Sequence, residues 1–95
     1  MRVIQIPVGM IVPNPEQPRK IFTDSELGEL TNSIREFGVL QPLLVKKTEG
    51  RKFILIAGER RLRAAKLAGL SRVPVIIKEL QESEAALIAL VENVQ

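Results

Sequence analysis

Between Lys52 and Ala68 the hydrophobic pattern changes its period once, and the change falls on a glycine. Lys52-Phe53-Ile54-Leu55-Ile56 is rich in β-branched and aromatic residues and reads as a strand, whereas Glu59 to about Ala68 is helical in pattern, with Gly69 as its stop. Gly58 joins the two. A strand leading through a glycine into a helix suits an α+β layer, with helices packed on a sheet.

The flanking segments extend this pattern. Val3-Ile4-Gln5-Ile6-Pro7 is a short strand that Pro7 ends or places at an edge. Pro13, Pro15 and Pro18 fall within Val12 to Arg19, where a helix is impossible and fixed φ angles give a stiffened loop. Thr23 and Asp24 are N-cap types, and Asp24, Glu26 and Glu29 suit the positive end of a helix dipole. Leu27, Leu30, Ile34 and Phe37 recur at helical spacing, so a helix is expected from about Asp24 to Phe37, closed by a left-handed Gly38. Leu43 to Lys47 pairs with Lys52 to Ile56 as a hairpin through Thr48-Glu49-Gly50-Arg51. Val73 to Ile77 reads as a buried strand carrying an edge proline, and Ser83 caps a third helix whose Leu87, Leu90, Val91 and Val94 share one face. The order is β-α-β-β-α-β-α. The expected fold is α+β, with helices packed on a small mixed sheet.

At 95 residues, 45% of them hydrophobic and 26% charged, the chain has material for one core, so residues 1–95 are expected to form a single soluble domain. The last helix keeps its amphipathic pattern to Gln95 without a glycine stop, which points to a fragment of a longer protein. With no cysteine and no histidine, disulfides, thiol nucleophiles, Cys/His zinc sites and imidazole general bases are all excluded. No signal peptide or membrane-length apolar run is present, so the expected location is cytoplasmic.

The net charge of +3 conceals a division: residues 1–50 balance, residues 51–72 carry +6, and residues 79–95 carry −4. Much of the positive charge follows Gly58. A helix start offers free backbone N–H groups and a positive dipole, and Arg60 and Arg61 add fork-shaped donors matched to phosphate oxygens. Arginines in a first turn oppose the dipole unless an anion neutralises both. The other reading makes Arg60, Arg61, Arg63 and Lys66 a solvated face, or partners of the acidic third helix. Spacing alone supports either.

Three further groups can carry chemistry. Glu92 and Asn93 supply hard oxygen ligands suited to Mg²⁺. Gln17 and Arg19 are presented by a proline-stiffened loop, at low entropic cost for binding. Gly38-Val39-Leu40-Gln41-Pro42 leads from a helix into a strand, and on its own pattern is a helix stop followed by a tight turn. Walker-type and GxGxxG glycine loops are absent. The three aromatic residues are all phenylalanine and spaced for a core, so base stacking on single-stranded nucleic acid is not expected.

Asn14 to Arg19, Gly38 to Val45, Ala57 to Gly69 and Val91 to Gln95, in this order, resemble the N-terminal domain of the ParB family of chromosome and plasmid partition proteins, which includes the nucleoid-occlusion proteins called Noc. The resemblance spans nearly the whole chain. It implies a fold shared with sulfiredoxin and a CTP-dependent switch that binds CTP with Mg²⁺, hydrolyses it slowly, and closes a self-associating clamp on DNA after loading at a centromere-like site. It further implies that Gln17, Arg19, Gly58, Glu59, Arg60 and Arg61 hold the triphosphate, and that Gly38 to Gln41 lie against the cytosine. Asn93 and Glu92 would hold Mg²⁺, and Glu59 and Glu92 are candidates for positioning the hydrolytic water. The family's helix-turn-helix and dimerisation domains have no counterpart in these 95 residues. Implied partners are DNA, through those domains, and a ParA-type ATPase; the implied place is the nucleoid. Three alternatives are a sulfiredoxin-like reductase, which would need the reactive cysteine this chain lacks, a basic domain contacting DNA phosphates through residues 51–72, and an interaction module in which residues 24–37 and 80–95 present helices to a partner chain.

Overall fold

The computed structural model describes residues 2–14, 23–79 and 81–93. Strand β1 (Val3–Pro7) leads through a 3₁₀ turn (Val8–Met10) into a two-residue strand β2 (Ile11–Val12), and helix α1 spans Asp24–Phe37. Strands β3 (Leu43–Lys47) and β4 (Phe53–Ala57), helix α2 (Glu59–Leu67), strand β5 (Arg72–Lys78) and helix α3 (Glu84–Asn93) follow. The five strands form one sheet in the order β1-β5-β3-β4-β2. It is mixed, as expected: β1 with β5 and β3 with β4 are antiparallel, β3 with β5 and β2 with β4 parallel.

Strand alternation sorts the core onto two faces. Leu43, Val45, Leu55, Val73 and Val75 join Ile34 of α1 and Leu62, Ala64 and Ala65 of α2 in the larger cluster. Leu44 and Ile76 point the other way and pack with Leu87 and Val91 of α3. The β3–β4 register slips by one residue, with Leu44 opposite Ala57 but Val45 opposite Leu55, so Ile56 is extra and β4 bends as it approaches Gly58.

The local chemistry explains the boundaries. The Thr23 hydroxyl accepts from Glu26 N–H at 3.2 Å and starts α1, and the Ser83 hydroxyl accepts from Ala86 N–H at 3.2 Å to start α3. Helix α2 ends in a Schellman motif: Leu70 N–H reaches Ala65 C=O at 3.0 Å, Gly69 N–H reaches Lys66 C=O at 3.1 Å, and Gly69 has φ +81°.

Several expectations need correction. The 3₁₀ turn and β2 have no counterpart in the expected order, because two paired residues between prolines leave no periodic signal. Phe37 is 64% exposed rather than in the core. The buried positions of α1 are Leu27, Thr31 and Ile34, and Phe37 lies roughly 90° around the helix from their centre at about 100° per residue. Leu90 is likewise 40% exposed, because α3 settles on Leu87, Val91 and partly buried Ile88; Val94 lies outside the described residues. Gly38 has the positive φ expected, +77°, but its ψ of −175° lies outside the left-handed helical region, in a conformation that glycine alone adopts readily. Pro74 sits in an inner strand. It precedes Val75, the first β5 residue paired with β3, so its missing N–H removes nothing from that ladder.

Candidate functional site

The glycine joint places the first turn of α2 directly over the start of β3. Gly58 has φ +110° and ψ +28°, and a Cβ there would stand 2.5 Å from Leu43 Cδ2, so both the backbone conformation and the space require glycine. Gly58 C=O accepts the N–H of Leu62 at 2.9 Å, which starts the helix without a side-chain cap. Arg61 then falls on the side of α2 that faces the 38–42 loop. Its Nη1 donates to Pro42 C=O at 2.8 Å and to Gln41 C=O at 3.4 Å. Burial lowers the Arg61 pKa below the ordinary arginine value, and the Glu92 carboxylate pulls it back up. The guanidinium remains a cation at neutral pH.

The loop is tied to α3 as well. Gln41 Nε2 donates to the backbone C=O of Glu92 at 3.3 Å. Three separate stretches of sequence, the 38–42 loop, the start of α2 and the end of α3, are thereby fastened together. Beside them opens a cavity of about 390 Å³. Gly38, Val39, Leu40 and Gln41 form one wall, Leu30, Ser33 and Ile34 of α1 another, and Arg61 closes the side.

The expected site residues divide accordingly. Gly38, Gln41, Gly58, Arg61 and Glu92 are brought together. Arg60 is exposed and donates through Nη2 to Glu26 C=O at 3.5 Å, on the α1 side of the same helix start. Glu59 lies 3.8 Å from Arg63 Nε, an i,i+4 pair along α2. Asn93 is exposed and donates through Nδ2 to Ala89 C=O at 3.0 Å. Gln17 and Arg19 lie outside the described residues. Leu30, Ser33 and Ile34 were missed as site residues, although their i, i+3, i+4 spacing one turn before Gly38 puts them on one flank of α1.

The arginines at this helix start therefore have carbonyl partners, which offsets part of their conflict with the dipole. Among the described residues no group of three or more acidic, histidine or cysteine side chains could cage a metal. Glu92 and Asn93 offer two hard oxygen ligands, which fits an ion whose other ligands are phosphate oxygens and water.

The model of the ParB N-terminal domain matches residues 1–94. The chain belongs to the ParB N-terminal domain family. It is 54% identical over 93 residues to the chromosome-partitioning protein Spo0J of Thermus thermophilus, covering 98% of this chain and 34% of that protein. It is 50% identical over 93 residues to the nucleoid occlusion protein of Halalkalibacterium halodurans, covering 98% of this chain and 32% of that protein. The chain thus spans about a third of the length of these relatives. Among solved structures, Caulobacter crescentus ParB complexed with CTP-γ-S matches with a TM-score of 0.79 and 42% identity, over 100% of this chain and 54% of that one. Sulfiredoxin from Arabidopsis thaliana matches with a TM-score of 0.71 at 19% identity, over 99% of this chain and 100% of that one, a likeness of fold alone. The expected α+β architecture and the ParB kinship are both borne out. Spo0J and nucleoid-occlusion relatives stand at similar identity, so ParB-type and Noc-type roles share this domain.

Proposed function

We propose that this chain is the CTP-binding switch domain of a chromosome-partitioning or nucleoid-occlusion protein. The observation that carries the reading is the convergence of Arg61 and the 38–41 loop on one cavity beside a glycine-started helix. It is supported by the ParB structure that holds CTP-γ-S and matches along the entire chain. In this reading the base lies against Gly38 to Gln41, and the triphosphate runs along the start of α2. There the free N–H groups, Arg60 and Arg61 meet its charge, with Gln17 and Arg19 approaching from the proline loop. Asn93 and Glu92 would hold Mg²⁺, which would supply positive charge to offset that of the phosphates. In this reading Glu59 and Glu92 would orient an attacking water during slow hydrolysis.

The chain spans about a third of the length of its relatives, and the clamp function would belong to a protein of their full length. There, nucleotide binding would drive self-association around DNA loaded at a centromere-like site, with a ParA-type ATPase as a partner, in the nucleoid of the cytoplasm. No helix among the described residues is long and apolar enough to cross a membrane.

Calorimetry with CTP, ATP, GTP and UTP in the presence of Mg²⁺ tests the reading. CTP is expected to bind most tightly. Arg60→Ala, an exposed change, should weaken CTP by about tenfold, the scale of one charge-assisted hydrogen bond. Equal or absent binding of all four nucleotides would sink the proposal. Strong, steeply salt-dependent binding of duplex DNA without nucleotide would favour the electrostatic alternative instead.

A further inference from the structure

A second recess lies on the other flank of α1. Its volume is about 300 Å³, and across it Leu27, Gly28, Thr31, Asn32 and Arg35 of α1 face Leu67 at the end of α2. Roughly 140° around α1 separates it from the wall that Leu30, Ser33 and Ile34 give to the cavity beside Arg61, at about 100° per residue. Four features of this recess have no explanation in the fold alone. Thr31 is 6% exposed, and its hydroxyl is the one buried side-chain polar atom without a hydrogen-bond partner among the described residues. Burying a hydroxyl unpaired is costly. Gly28 stands inside a helix, where glycine is unfavourable, with nothing within 4 Å of an added Cβ. Leu67 is 60% exposed. Arg35 donates to Asn32 Oδ1 at 3.0 Å and to Leu67 C=O at 3.5 Å, but among the described residues it pairs with no carboxylate.

We infer that this recess is a docking groove for a segment of a partner protein that carries an aliphatic side chain beside a carboxylate. One occupant of that chemistry answers all four features. The aliphatic group lies over Gly28, where the missing Cβ lets it come close to α1, and covers Leu67. The carboxylate meets the Arg35 guanidinium, which has donors to spare beyond the two already engaged. It also accepts from the Thr31 hydroxyl after a turn about χ1, a rotation that threonine tolerates in a helix. Among the described residues no acidic side chain lines the recess to oppose it. The volume suits one or two side chains and stands at the lower limit of pockets that enclose a whole small ligand, which favours a projecting protein segment.

The test follows the backbone amides of the isotope-labelled 95-residue chain by NMR as an acetylated, amidated heptapeptide, Ser-Gly-Leu-Glu-Leu-Gly-Ser, is added. Saturable shifts are expected at Gly28, Thr31, Asn32, Arg35 and Leu67, with residues 38–42 unmoved. The same peptide with glutamine in place of glutamate should bind about tenfold more weakly, the scale of one charge-assisted hydrogen bond. Gly28→Leu should keep the folded spectrum, since nothing lies within 4 Å of its Cβ, and should lose the shifts. Isovalerate, a free aliphatic carboxylate, should need about tenfold more concentration than the peptide to move the same amides. Absence of shifts at the groove would overturn the assignment, as would equal binding of the two peptides or shifts that persist in Gly28→Leu. Isovalerate binding as tightly as the peptide would mark a small-molecule site and overturn it too. None of these outcomes depends on whether the chain binds nucleotide.

Discussion

Gly58→Ala is expected to lower stability by about 2–5 kcal/mol, summing the cost of a positive φ in a residue with a Cβ and that of forcing a methyl into a filled core. The added carbon would meet Leu43 Cδ2, and Leu43 is fully buried between β5 and β4, so it has little room to withdraw. Urea unfolding should record the loss as a lower midpoint with an unchanged slope. Gly28→Ala is the matched control. Gly28 lies inside α1 with nothing within 4 Å of an added Cβ, so the same substitution there should stabilise the chain by about 0.5–1 kcal/mol. Equal effects at the two glycines would mean that the turn over Leu43 is not the constraint described here.

Arg61→Ala should damage both the fold and the site. The carbonyls of Gln41 and Pro42 would lose a charged donor, a change of about 1.5–3 kcal/mol for hydrogen bonds of this type. CTP affinity should fall by more than about 100-fold, because the loop that lines the cavity and the nearest guanidinium fail together. Arg61→Lys should restore little, since an ammonium keeps the charge but cannot present the planar fork. Denaturant midpoints and calorimetry on the same samples separate the two effects. A variant with a lowered midpoint but CTP affinity within threefold of the original would reduce Arg61 to a brace for the loop.

The elements that carry strong local signals were legible in advance. Helix α1 runs from Asp24 to Phe37 as expected because a capping threonine, acidic first turns and a terminal glycine agree with one another. The hairpin and the Gly58 joint were equally readable, since the period changes there. The sheet order was not. Nothing local tells β5 to insert between β1 and β3, a choice made by the burial of Val73, Val75 and Ile76 on two faces at once. For the site, Gly58 and Arg61 could be singled out from the sequence as a glycine joint followed by a charged helix start. The direction of Arg61 could not, because it turns toward two backbone carbonyls rather than toward any side chain a pattern would reveal. The Gln41 link to α3 was hidden for the same reason, an amide meeting a carbonyl 51 positions away. Ser33 escaped because a lone polar residue on a helix resembles surface until the neighbouring loop is in place.

The sheet order also sets when the molecule can form. Among the described residues strand β1 pairs with β5 alone, Val3 opposite Ile76, so of these five strands the earliest must wait for the latest before it finds a partner. The β3–β4 hairpin and α2 can organise early from near neighbours, but β3 keeps one open edge until Val75 to Lys78 have emerged. Closing contacts across so much chain is slow, and unpaired strand edges are aggregation-prone while they wait. Synthesis that stalled before Arg72 would therefore leave the backbone N–H and C=O groups of β3 unpaired along that edge, a form that chaperones and proteases would meet before any nucleotide did.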